Sequence, residues 1–186
     1  MKKLTLSKLI LFSAVLFQIA INTSCNEKEP TKPTNDEELI TTLKLKFHNQ
    51  SDSSVFSEFI FRDTDGEGGN APSQWDTIRL NPGKYWVSAS LLNESNPNDI
   101  ENITEEIVAE ADEHCFFYNH NLHRLTVDYA DNYFGLPLGL ATNWDAQSAE
   151  SGTITVVLKH MPDGIKKVDP LVGDTDLEVK FNIEIK

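Results

Sequence analysis

Leu177-Glu178-Val179-Lys180-Phe181-Asn182-Ile183-Glu184-Ile185 alternates apolar and polar side chains without a break. Successive side chains of a strand point to opposite faces. This stretch therefore puts Leu177, Val179, Phe181, Ile183 and Ile185 on a core face and the charged and amide side chains in water. A helix would scatter the same apolar residues around its axis.

The same period recurs upstream. Ile154, Val156 and Leu158 alternate with polar residues. Leu39, Thr41, Leu43, Leu45 and Phe47 form a first strand with Lys44, Lys46 and His48 outward. Tyr85, Val87, Ala89 and Leu91 make one stripe, and His123, Leu125, Val127 and Tyr129 another. Val55 to Arg62 is apolar on both faces, as expected of a central strand. Leu80-Asn81-Pro82-Gly83-Lys84-Tyr85 reads as strand, tight turn, strand, with Pro82 fixing φ and Gly83 supplying the positive φ of a type II turn.

One segment departs from this period. Asn102-Ile103-Thr104-Glu105 predicts a helix start with Asn102 as N-cap and Glu105 reaching back. A helix over about 103–112 would align Ile103, Ile107 and Ala111. About eight strands with one short helix predict an all-β fold, an antiparallel immunoglobulin-like or prealbumin-like β-sandwich. No internal repeat is visible.

The N-terminus carries an export address. Lys2, Lys3 and Lys8 precede the apolar run Leu9 to Ile21, which is too short for a comfortable membrane span. Asn22-Thr23-Ser24-Cys25 resembles a lipobox, with Asn22 in place of the usual aliphatic residue. The expected organisation is a lipoprotein signal peptide over 1–24, a lipidated Cys25 with a disordered Pro-containing linker over 25–38, and one domain over 39–186. Acyl chains on Cys25 would tether the domain to a membrane. Asn26-Glu27-Lys28-Glu29 resembles a surface-export signal and predicts an outer-membrane, outward-facing location.

The formal charge is −13, and loss of the three signal lysines takes it to −16. Such acidity disfavours nucleic acid as a partner. There are two cysteines. If Cys25 is acylated, Cys115 has no partner in the chain, and its apolar run Cys115-Phe116-Phe117-Tyr118 reads as core.

Four further blocks complete a resemblance that begins at Asp36-Glu37-Glu38-Leu39-Ile40-Thr41-Thr42: Asp63 to Pro72, Leu91 to Ser95, Ile103 to Ile107 leading into Glu113 to Tyr118, and Asp174 to Val179. Together they resemble a family of uncharacterised Bacteroidota lipoproteins. Cys115 departs from it, since a polar residue is expected there. The resemblance implies a surface accessory role near TonB-dependent outer-membrane receptors, in nutrient or metal uptake, and carries over no catalytic residue.

Three candidate sites stand out. Asp63, Asp65 and Glu67 occupy the first, third and fifth positions of a loop with Gly68 at the sixth, as a calcium loop begins, but Gln74 stands where the bidentate acid belongs. The plainer reading is a Gly-rich turn. His114, His120 and His123 cluster in sequence, with His160 able to join from an adjacent strand, which suits zinc, copper or iron. The plainer reading is strand histidines, half-buried or solvated. Trp75, Trp86 and Trp144, with Tyr85, offer sugar-stacking faces, although core packing is the commoner use. There is no G-x-S-x-G, H-E-x-x-H or phosphate loop. The expectation is a non-enzymatic binding or accessory module on a membrane, with a calcium- or transition-metal-binding lipoprotein as the alternative and a hydrolase third.

Overall fold

The computed structural model describes residues 38–66, 68–161 and 166–186. Cys25, the signal and Glu67 lie outside them. Ten strands and one helix are described: β1 (Thr42–Asn49), β2 (Phe56–Arg62), β3 (Gln74–Trp75), β4 (Ile78–Leu80), β5 (Gly83–Leu92), α1 (Ile103–Ala109), β6 (His114–His120), β7 (Leu125–Tyr129), β8 (Ala141–Ala146), β9 (Glu150–His160) and β10 (Asp174–Ile185). They form two sheets, one of six strands in the order β3-β2-β1-β5-β8-β7 and one of four in the order β4-β10-β9-β6. The protein is an all-β sandwich, and the alternation read from the C-terminal strand is its organising feature.

The inward stripes of both sheets meet in one core. Leu43, Leu45 and Phe47 of β1 and Tyr85, Val87, Ala89 and Leu91 of β5 face Ile154, Val156 and Leu158 of β9 and the apolar stripe of β10. Phe47 is its aromatic hub, edge-on to Phe59, Tyr85 and Trp144 at centroid distances of 5.5, 6.1 and 4.9 Å. Such pairs add about 0.5–1.5 kcal/mol each beyond area burial. A smaller cluster of Cys115, Phe117, Val157 and Met161 covers part of the other face of the four-stranded sheet.

Several expectations need correction. β2 has a neighbour on each side, but β3 covers only Phe61 and Arg62, and Phe56 is 58% exposed rather than buried. The first strand starts at Thr42, and Leu39 is exposed. The turn at Asn81-Pro82 passes from β4 in one sheet to β5 in the other. β4 pairs with β10 in parallel, so the smaller sheet is mixed. His123 precedes β7 and is exposed.

The helix ends three residues early, at Ala109, although Ile103, Ile107 and Ala111 all enter the core. Glu105 does not reach the Asn102 backbone. It accepts a bond from the Asn102 side-chain amide (2.8 Å). The anchor is Thr104, whose hydroxyl accepts from Leu91 N (2.8 Å) and reaches Leu91 O (3.2 Å), fastening the helix to the end of β5.

A strap over 130–140 laces the sheets together at their other margin. Leu138 O accepts from Phe116 N on β6, and Leu140 O accepts from Ala89 N on β5. Asp131 holds the strap's shape by accepting backbone N–H groups from Leu138, Gly139 and Ala141 at 2.8–3.0 Å. Gly139 has φ +88°, and a Cβ there would stand 2.8 Å from Phe116 Cβ, so both backbone and space call for glycine.

Candidate metal centre

Four chain segments deliver His114, His160, Asp176 and Glu38 to one buried point. β6 opens on His114 and β9 closes on His160, and antiparallel pairing sets them directly opposite each other. Their rings stack at 4.3 Å. Asp174 of β10 pairs with His160 from the other side. The register of β10 against β9 then slips between Thr175 and Leu177, leaving Asp176 as the extra residue of a bulge. A bulge re-aims a side chain. Strict alternation would send Asp176 outward with Glu178, whereas its side chain is 1% exposed beside His114. Glu38 arrives just ahead of β1 with a side chain 8% exposed.

The geometry is convergent. His114 Nε2 stands 3.6 Å from Glu38 Oε1 and 3.6 Å from Asp176 Oδ2. One donor atom from each of the four residues falls within 4.8 Å of all the others. Bonds of about 2.0–2.2 Å at tetrahedral angles put zinc donor atoms about 3.3–3.6 Å apart, close to the two His114–carboxylate distances. Glu110, Glu113 and His160 form a second, overlapping group.

The tautomer of His114 follows from its other nitrogen. Nδ1 lies 3.1 Å from Glu110 O, and a carbonyl oxygen only accepts, so Nδ1 carries the hydrogen. In the neutral ring, Nε2 then turns a lone pair toward two carboxylates. Nε2 has no hydrogen-bond partner, and neither has Glu38 Oε2. A fully buried ring facing two acceptors calls for positive charge at that point, supplied by a proton on Nε2 or by a metal ion held between the groups. Burial works against charge on His114, but Glu38, the Glu110 carbonyl and Asp176 outweigh it and raise its pKa. The His114 ring, 3.6 Å away, in turn holds Glu38 below the usual carboxylate range, against burial. His160 Nε2 lies 3.3 Å from Glu113 Oε2, the ring-orienting carboxylate contact common around metal-bound histidines.

Met161 and Gly173 also shape the site. Met161 N donates to Glu113 O (2.7 Å), closing β9 onto the turn before β6. Gly173 passes so near that a Cβ would lie 2.2 Å from His160 O. Its φ of +82° also favours glycine.

The sequence expectations divide sharply here. His114 and His160 meet, but His120 and His123 do not join them. His120 lies at the far end of β6, six residues or roughly 20 Å of strand away. His123 is exposed, and its backbone N–H bonds Glu150. Sequence proximity misled because a strand carries its residues apart. Sequence alone does not single out Glu38 or Asp176: the first falls in the expected linker, and the second sits on a bulge that periodicity cannot show.

In the acidic loop, Asp65 is committed as a turn carboxylate. It accepts Asn70 N (2.9 Å) and Asn70 Nδ2 (2.6 Å). Both bonds fall on Oδ2, as the turn reading expects, and Glu67, the third acid of the calcium reading, lies outside the described residues. The tryptophans do not form one platform. Trp144 is core, with Nε1 donating to Thr142 Oγ1 (2.8 Å), and Tyr85 is also buried. Trp75 is exposed on β3, its Nε1 bonded to Lys180 O (3.1 Å). Trp86 is exposed on β5.

Cys115 is fully buried, and burial pushes its thiol pKa up to about 11. Among the described residues no helix is long and apolar enough to cross a membrane. Comparison with protein-family models, curated proteins and solved structures finds no match.

Proposed function

We propose that this domain is a metal-binding module of an exported lipoprotein, tethered through Cys25 and holding a divalent transition metal between Glu38, His114, His160 and Asp176. The observation that carries the reading is the convergence of two imidazoles and two carboxylates around a buried point, with the free nitrogen of His114 facing two acceptors. The mixed nitrogen and oxygen donor set suits zinc or iron, whereas calcium takes oxygen ligands alone. With four protein donors and nearly complete burial the centre is closed, which is the character of a structural or carrier site rather than a catalytic one.

The reading fits an accessory role on the outer membrane, where a metal-loaded lipoprotein would serve an uptake receptor. It also gives Glu38 a purpose: the metal would clasp this residue, just ahead of β1, to the body of the sandwich.

The test is elemental analysis of the full chain purified without chelator, followed by thermal melts of stripped protein with and without zinc. One metal per chain is expected. A ligand at 100 times its Kd stabilises by about 2.7 kcal/mol, or about 5–11 °C for a domain this size. Sub-stoichiometric metal together with unshifted melts would overturn the reading.

A further inference from the structure

The outer face of the six-stranded sheet carries a cleft of about 310 Å³ whose lining includes Gln50, Lys84, Trp86, Thr126, Asp128 and Asn143. Strand register explains its composition. Phe56, His48, Trp86, Asn143 and Asp128 lie in one row across β2, β1, β5, β8 and β7. Lys84, Asp145 and Thr126 form the neighbouring row. Trp86 is 51% exposed and Phe56 58% exposed. They stand two strands apart, roughly 10 Å.

We infer that this row is a binding site for a neutral oligosaccharide. A pyranose ring offers an apolar C–H face and a rim of hydroxyls. Recognition therefore needs an exposed aromatic plane with planar amides and carboxylates at its edge. Trp86 supplies the plane. Asn143 stands beside it, its side-chain oxygen accepting from Gln50 Nε2 (3.1 Å), so both amides are held in place while further donor and acceptor sites stay open to solvent. Asp128, exposed at the end of the row, supplies acceptors for hydroxyl donors.

Charge narrows the class. Among the described residues lining the cleft Lys84 is the one cation, and it pairs with Asp145 at 3.4 Å, which leaves Asp128 as the surplus charge. An anionic glycan would meet repulsion there and from the net acidity of the chain. The second aromatic, Phe56, sits further along the same row, with His48 between at 5.7 Å from its ring. Lys46 Nζ stands 4.5 Å over the Phe56 ring, so Trp86 is the stacking plane and Phe56 extends the row as an apolar edge along which a chain of sugars, rather than a single ring, would run. The site lies on the outer surface of the larger sheet and does not depend on the metal reading.

The experiment is calorimetric titration of the full chain in detergent with cellohexaose, xylohexaose, mannohexaose, maltohexaose and chitohexaose. Binding of at least one is expected. Trp86→Ala should weaken it about tenfold or more, the scale of one lost stacking contact. Asn143→Ala should weaken it as well, while Trp75→Ala, at the sheet edge, should leave it unchanged. Circular dichroism of each variant separates loss of the site from loss of the fold. The inference is overturned if none of these hexaoses binds at millimolar concentration, or if the folded Trp86→Ala variant binds as well as the parent.

Discussion

Replacing Asp131 by alanine should be among the most damaging single changes outside the apolar core. Its two oxygens accept three backbone N–H groups, from Leu138 and Gly139 on Oδ1 and from Ala141 on Oδ2. Hydrogen bonds to a charged group contribute about 1.5–3 kcal/mol each. The three share one side chain and are only partly buried, so the low end applies, and about 4 kcal/mol is expected in total. The loss extends beyond the strap, because Leu138 and Leu140 offer the carbonyls that tie β6 and β5 together. At about 2–4 °C per kcal/mol, the midpoint of thermal unfolding should fall by roughly 8–16 °C. Asp131→Asn keeps the shape and one acceptor oxygen but turns an amide N–H₂ toward a backbone donor. It should therefore lose at least half as much. Thermal and urea unfolding followed by circular dichroism measure both variants. A loss of less than about 1 kcal/mol for Asp131→Ala would show that water replaces the carboxylate at little cost and would refute the strap's assigned role.

Further outcomes follow from other sites. Zinc should raise the melting temperature of the parent and of His123→Ala, but not of His114→Ala or Asp176→Ala, when stripped protein is melted with and without the metal. Glu94 is partly buried, and desolvation raises its pKa, but the ion pair with Arg62 and the bond from Thr42 prevail and hold it below the usual carboxylate range. A depressed carboxyl stabilises the fold above the unfolded value of about 4.3, and that contribution disappears as pH falls through the folded value. Glu94→Gln should thus be less stable than the parent at neutral pH, with the difference vanishing in urea melts run well below pH 4. The Cys115 thiol, buried and raised to about 11, should remain unreactive toward Ellman's reagent near pH 8 until the protein is denatured.

The parts of the fold legible in the sequence were those written in a simple period. β10, β9, β5 and β1 follow from alternation, because a half-buried strand must alternate to keep one face in the core. Other elements had no such mark. In Ala141–Ala146 the inward residues are Thr142, Trp144 and Ala146, a polar and a small residue around one large ring, so no apolar stripe announces the strand. β3 has two residues and β4 three, too short for a period to register. The parallel pairing of β4 with β10 depends on the crossing between sheets, which local pattern does not encode.

The candidate site was half legible for the same reason. Histidine is a conspicuous ligand, so His114 and His160 drew attention by type alone. Pairing of β6 with β9 decides which histidines meet, and that is a long-range fact. Asp176 is reached through a register slip, and Glu38 through the path of the chain into β1. Carboxylates are abundant in a chain with 29 acidic residues, so neither position signalled its role. The buried tryptophan and the exposed one were likewise indistinguishable by type. Facing separated them: Trp144 points inward on β8, and Trp86 outward on β5.

The central claim is that a metal sits among Glu38, His114, His160 and Asp176, and zinc K-edge X-ray absorption on the zinc-loaded full chain tests it most directly. The account predicts one zinc per chain with two imidazole nitrogens and two carboxylate oxygens at about 2.0–2.2 Å and no sulfur. A sulfur donor, three or more imidazoles, or a spectrum unchanged by His114→Ala would contradict it.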